Sequence, residues 1–148
     1  MGTRSRIGVM HGDNCKSVYC HWDGYISHNG RILDEYYDST KANSLVALGD
    51  LSSLCPDIDP GNDNHSFEHP KLGVTIFYGR DRGETGVDYK VSATFEDFLK
   101  TCNDCDAEYY YIMKDGVWYV GDNYTGTKLS QKLTLLSEVL EAETELAN

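Results

Sequence analysis

Residues 3 to 21, TRSRIGVMHGDNCKSVYCH, decide the fold class. Two runs rich in β-branched and aromatic residues, 3 to 10 and 15 to 21, flank the turn-forming cluster His11-Gly12-Asp13-Asn14, which predicts a hairpin. Working outward, residues 107 to 113 (AEYYYIM) and 117 to 120 (VWYV) enclose Asp115-Gly116, the dipeptide that suits a tight two-residue turn. A further pair, 72 to 78 (LGVTIFY) and 87 to 92 (VDYKVS), is joined by the Gly-rich stretch Gly79 to Gly86. Three hairpins are therefore expected.

Short helices are expected over 29 to 37 and 43 to 48, with Gly49 as a stop. Thr94 offers an N-cap, with Glu96 and Asp97 in the first turn that follows it. Phe95, Phe98, Leu99 and Cys102 then recur at i, i+3, i+4 and i+7, one apolar stripe on one helix. Leu129, Leu133, Leu136 and Leu140 predict a last helix near 128 to 145, with an acidic end. Between Asp50 and Pro70 lie all three prolines, five carboxylates and no Lys or Arg, which reads as a long acidic loop. The expectation is an α+β fold in one domain over 1 to 148: a mostly antiparallel sheet of three hairpins, with helices packed on one face.

The chain of 148 residues carries a formal net charge of −11. Residues 1 to 33 balance at +2, from Arg4, Arg6, Lys16 and Arg31 against Asp13 and Asp23, which leaves −13 beyond them. Direct nucleic-acid binding is not expected of such a charge, because phosphate attraction supplies most of that affinity. Basic protein surfaces are the better partners. No apolar run suggests a membrane span or secretory signal, and Arg6 stands where a myristoylation motif needs Ser or Thr. A cytoplasmic protein is expected.

Five cysteines, an odd number, predict reduced thiols rather than a disulfide framework. Cys102-Asn103-Asp104-Cys105 has C-x-x-C spacing but lacks the second pair that marks a zinc site. A buried Cys102 and a turn Cys105 are expected, with no metal and no cofactor. His65 and His69 flank no helix, since Pro70 follows, and a surface loop is expected for them. Cys20 and His21 are adjacent on a strand and point to opposite faces. A terminal-nucleophile hydrolase would need Thr3 freed by processing. No catalytic residue is assigned, and an enzyme is not expected.

The ligand-binding candidates are Arg4, Arg6, Trp22, Asp23, Tyr25, Arg80 and Arg82. Aromatic and Arg side chains are enriched where binding energy concentrates. Converging arginines would make a positive pocket for an anion such as a nucleotide phosphate. Alternatively the tryptophans fill the core and the arginines pair with Asp13, Asp81 and Glu84.

Several segments also resemble a family of uncharacterised accessory proteins of tailed bacteriophages. They are Thr3-Arg4-Ser5 with Ile7-Gly8, Val18 through Tyr25 (VYCHWDGY), Gly30-Arg31-Ile32-Leu33 and Leu48-Gly49-Asp50-Leu51-Ser52. Phe77 through Gly83 (FYGRDRG), Ala107 through Tyr111 and Asp115 through Val120 extend the likeness over most of residues 3 to 122. The resemblance implies no activity, cofactor or catalytic residue. It implies a setting in the host cytoplasm, where a small protein redirects the host or blunts its defences. Three functions are consistent with these readings: a stoichiometric inhibitor with an acidic surface, a sponge for a nucleotide signal in an Arg/aromatic pocket, and a hydrolase on an amino-terminal-nucleophile-like sheet.

Overall fold

A computed structural model describes residues 3 to 122 and 133 to 147. The first expected hairpin forms as β1 (Ser5–His11) and β2 (Asn14–Cys20), antiparallel with Arg6 opposite Tyr19 and Gly8 opposite Ser17. The last forms as β6 (Tyr109–Lys114) and β7 (Val117–Asp122). Its turn places Asp115 at φ 53° and Gly116 at φ 77°, the doubly left-handed geometry whose twist matches that of the strands.

Between these hairpins the chain departs from the expected pattern. The pair over 72 to 92 does not close on itself. Instead β3 (Leu51–Ser53) lies parallel to the end of β2 and antiparallel to β4 (Ile76–Phe77), the Gly-rich stretch opens with a short helix α3 (Tyr78–Arg82), and β5 (Lys90–Ser92) pairs with β2. The backbone of Asp50 separates the two expected partners: its carbonyl accepts the Tyr78 N–H and its N–H donates to Val87 O. The sheet is mixed, in the order β4-β3-β2-β1-β6-β7-β8, with β5 beside β2 and β8 at Thr134–Leu135. Parallel pairing joins β1 to β6 and β2 to β3.

Helices cover both faces, not one. A π-helical turn (Ile26–Gly30) runs into α1 (Arg31–Tyr36), followed by α2 (Ser39–Ala47). Asp38 caps α2 by accepting the Lys41 N–H, so this helix begins four residues before the apolar pattern suggests. Gly49, at φ 89°, ends the segment as expected. Leu33, Leu45 and Val46 from these helices, with Leu136 and Leu140 of α5 (Leu136–Ala147), bury Ile7, Val9, Val18, Tyr111 and Trp118. The expected helix near 128 to 145 begins only at Leu136, because Thr134–Leu135 pair with β7 as β8; residues 128 to 132 fall outside the described residues.

On the opposite face lies α4 (Phe95–Asp104), capped by the Thr94 side chain. Its Phe98, Leu99 and Cys102 meet Cys15, Tyr110 and Ile112. Strands β1 and β6 thus bury alternate residues to opposite sides, which explains their near-continuous burial. Gly8 is required there, because a Cβ would lie 2.7 Å from the Cys15 Sγ and 3.1 Å from an Ile112 methyl.

The acidic stretch between Asp50 and Pro70 is anchored rather than merely solvated. Leu51 and Leu54 are completely buried. Asp57 bridges to Val74, and Phe67 N donates to Asp81 O. His65, expected at the surface, is buried: its Nε2 lies 3.1 Å from an Asp81 carboxylate oxygen and its Nδ1 accepts the Lys71 N–H.

Candidate functional site

The break between α1 and α2 opens a concavity. After Tyr36 the chain turns extended at Tyr37 (φ −116°, ψ 107°) before Asp38 starts the next helix. Facing this corner is the β6–β7 hairpin, which brings Met113, Gly116, Val117 and Trp118; Ser137 of α5 closes the far side. The result is a cleft of about 460 Å³ whose opposite wall is the continuous run Asp34-Glu35-Tyr36-Tyr37-Asp38.

Its floor is fixed and its rim is free. The Trp118 indole N–H donates to Tyr37 O at 2.9 Å, joining hairpin to corner. The Tyr37 hydroxyl donates to Cys55 O at 2.8 Å, lies 3.2 Å from the Thr75 hydroxyl, and is pushed up to about 12 in pKa, chiefly by burial. Lys41 spans the outer side, with its ammonium 4.5 Å from the centre of the Tyr37 ring and bonded to Pro56 O. On the rim, Asp34 and Glu35 are exposed and form no ion pair with a described residue. Tyr36 is half-exposed beside them. Two uncompensated carboxylates beside aromatic faces attract a cation by Coulomb and ring-quadrupole effects together.

The arginine candidates divide. Arg80 turns inward: its guanidinium donates to Ile58 O at 2.6 Å, to Thr75 O at 3.0 Å and to the Asp81 carboxylate at 2.9 Å, and stacks over Phe77. Arg82 pairs with Glu84 at 3.3 Å and lies over the Phe67 ring, itself stacked on Tyr78. Arg4 and Arg6 share a face with Tyr19, whose hydroxyl lies 2.7 Å from His21 Nδ1. Arg4 is half-exposed and pairs loosely with Asp106 at 3.5 Å, whereas Arg6 is buried.

Trp22 and Tyr25 are exposed, at 41% and 39%, on a turn with Asp23 at φ 55°. That turn is held by Gly24, whose N–H donates to Thr3 O and whose carbonyl accepts the buried Tyr111 hydroxyl at 2.6 Å. Of the two tryptophans, Trp118 joins the core and Trp22 does not.

Arg80 therefore works as a staple for the acidic stretch. Burial alone would raise the Asp81 carboxyl, but Arg80, the Phe77 N–H and His65 together hold it below its ordinary value. Arg80→Ala is expected to lower stability by roughly 1.5–3 kcal/mol, the usual worth of hydrogen bonds to a charged group. A depressed carboxyl contributes stability above its unfolded pKa and loses it as pH falls through the folded value. The stabilisation by Arg80 should therefore shrink in acid below the ordinary carboxylate range, as urea midpoints of the two proteins at pH 7 and pH 2.5 would read.

The sequence does not announce the cleft, because 29 to 37 reads as one short helix with Ile32, Leu33, Tyr36 and Tyr37 spaced for a single apolar face. What signal it carries is the unbroken acidic-aromatic composition DEYYD. Among the described residues no group of three His, Cys, Asp or Glu side chains is placed to hold a metal ion, and no helix is long and apolar enough to cross a membrane. The chain matches no protein-family model, no curated protein and no solved structure.

Proposed function

We propose that this protein is a stoichiometric binding protein that occupies a basic surface of another protein, with the acidic-aromatic cleft receiving one of the partner's Lys or Arg side chains. The setting is the one the phage resemblance implies: interference with a host or defence protein whose basic groove is thereby blocked. The observation that carries this reading is the cleft itself, where Asp34 and Glu35 form no ion pair with a described residue and stand beside Tyr36, Tyr37 and Trp118. An unpaired carboxylate costs little while hydrated and gains a charge-assisted bond when a cation arrives. The surrounding charge of −11 speeds the encounter.

Binding of this kind weakens with salt, because the screening length falls from about 10 Å at 0.1 M to about 3 Å at 1 M. A lysine- and arginine-containing peptide immobilised on a sensor should retain the protein at 0.05 M salt and lose most of it by 0.5 M. Retention that is unchanged across this range would count against the proposal.

A second reading keeps one observation in its favour. Arg4, Tyr19 and His21 lie together over the buried Arg6, a grouping suited to an anion, so the nucleotide sponge persists with Arg80 removed from its residue set.

A further inference from the structure

Arg6 is 2% exposed, yet it forms no ion pair with a carboxylate among the described residues. Its Nε donates to the Ser17 hydroxyl at 2.7 Å and its Nη2 to Ser17 O at 3.2 Å. The remaining contact is Nη1 to the Cys105 Sγ at 3.9 Å. A buried guanidinium without a counter-charge is costly. The Asp50 carboxylate and the Cys15 and Cys102 thiols feel its charge at longer range, and of the groups the guanidinium touches directly the Cys105 thiol is the one that can become an anion.

Cys105 sits at the C-cap of α4, partly exposed, three residues after the fully buried Cys102. Cβ atoms three apart on a helix lie roughly 5–6 Å from one another, and a disulfide asks for about 4 Å. The closing motion is small at this place, because Cys105 is already outside the regular helix at φ −102°, ψ 9°.

The geometry points to Cys105 as a nucleophilic thiol held against the Arg6 guanidinium, with Cys102 as its resolving partner in a peroxide-sensitive pair. The Cys105 sulfur attacks one oxygen of a hydroperoxide, the O–O bond breaks, and the departing alkoxide or hydroxide takes up a proton. The sulfenic acid so formed is attacked by the Cys102 sulfur, which expels hydroxide; that hydroxide takes the Cys102 proton and leaves as water. Two thiols are oxidised by two electrons and the peroxide is reduced by the same two.

The groups that surround the sulfur are the Arg6 guanidinium from β1, Tyr19 from β2, and Cys102, whose carbonyl accepts the Cys105 thiol at 3.5 Å; Asp104 ends α4 just before Cys105, and Asp106 just after it is turned to Arg4. The other thiols lack this setting. Burial pushes Cys15 up to about 12 and Cys20 to about 11, and raises Cys102 further. Cys55 is partly exposed like Cys105, but burial and the Asp57 carboxylate raise it.

Cys55 therefore serves as the internal control. With limiting iodoacetamide on the native protein, and mass spectrometry of each cysteine peptide, Cys105 should be alkylated about tenfold faster than Cys55, whose thiolate is disfavoured by burial and by the Asp57 carboxylate. Hydrogen peroxide should link Cys102 to Cys105. In Cys102→Ser it should instead leave a Cys105 sulfenic acid that dimedone traps. Arg6→Gln should slow Cys105 alkylation while leaving the Cys55 rate unchanged. Should that variant fail to fold, the Cys105-to-Cys55 ratio and the peroxide product of the unaltered chain still decide. Equal or faster reaction at Cys55, peroxide treatment that leaves Cys105 reduced, or a folded Arg6→Gln with an unchanged Cys105 rate would overturn the assignment.

Discussion

Replacing Trp118 with alanine is expected to lower stability by roughly 3–5 kcal/mol, the range for deleting a large aromatic from a core. The side chain is 6% exposed, lies opposite Met113 across the β6–β7 hairpin, and touches the same apolar cluster as Leu33 and Leu136. Its indole N–H is also the bond that ties the hairpin to Tyr37. Against a total stability of about 5–15 kcal/mol for a domain of this size, the loss leaves a marginal fold. The thermal midpoint should fall by roughly 6–20 °C, at about 2–4 °C per kcal/mol. Trp118→Phe separates the two contributions: it keeps most of the apolar area but leaves the Tyr37 carbonyl without its indole donor, for about 1–3 kcal/mol. Urea midpoints of the three proteins provide the measurement, and a Trp118→Ala effect below about 1 kcal/mol would mean the hairpin does not pack as described.

Reversing the rim charges, Asp34→Lys together with Glu35→Lys, is expected to weaken binding of a basic peptide by about 100-fold or more, since two attractive pairs become repulsive and each tenfold step needs only about 1.4 kcal/mol. Stability should change little, because both side chains are exposed and form no ion pair with a described residue. Asp38 is left alone for a structural reason: it caps α2, and its loss would cost about 1 kcal/mol of helix stability irrespective of any ligand. Affinity measured beside a thermal midpoint for the same double variant distinguishes lost binding from lost folding.

Local pattern made the outer parts of the fold legible. Asp115-Gly116 specified its own turn, His11 to Asn14 theirs, and Thr94 with the 95, 98, 99, 102 stripe specified α4. The parallel pairings of β1 with β6 and of β2 with β3 were not legible, because they join segments far apart in the chain with no turn residue to announce them. Leu51 and Leu54 were hidden by the acidic company that follows them, and His65 by its neighbouring Asp and Asn residues. Arg80 and Arg82 looked equivalent in the Gly-rich stretch. Only the placement of Ile58 O and Thr75 O makes Arg80 a structural staple.

The cleft shows the same division. Its acidic wall is contiguous and visible as composition, whereas Trp118 and Ser137 arrive from distant segments through the sheet. Charge alone suggests a basic partner, and the proposal places one of its side chains in this cleft.

The most direct test uses Trp118 as the reporter. The chain holds two tryptophans, and Trp22→Phe leaves the cleft residue as the single indole without touching the core, since Trp22 is exposed. Titrating this variant at 0.05 M salt with a short lysine- and arginine-containing peptide should shift the Trp118 emission along a saturable curve, and the shift should vanish when Asp34→Lys and Glu35→Lys are added. Emission that stays constant, or a shift that survives both substitutions, would contradict the cleft as the binding site.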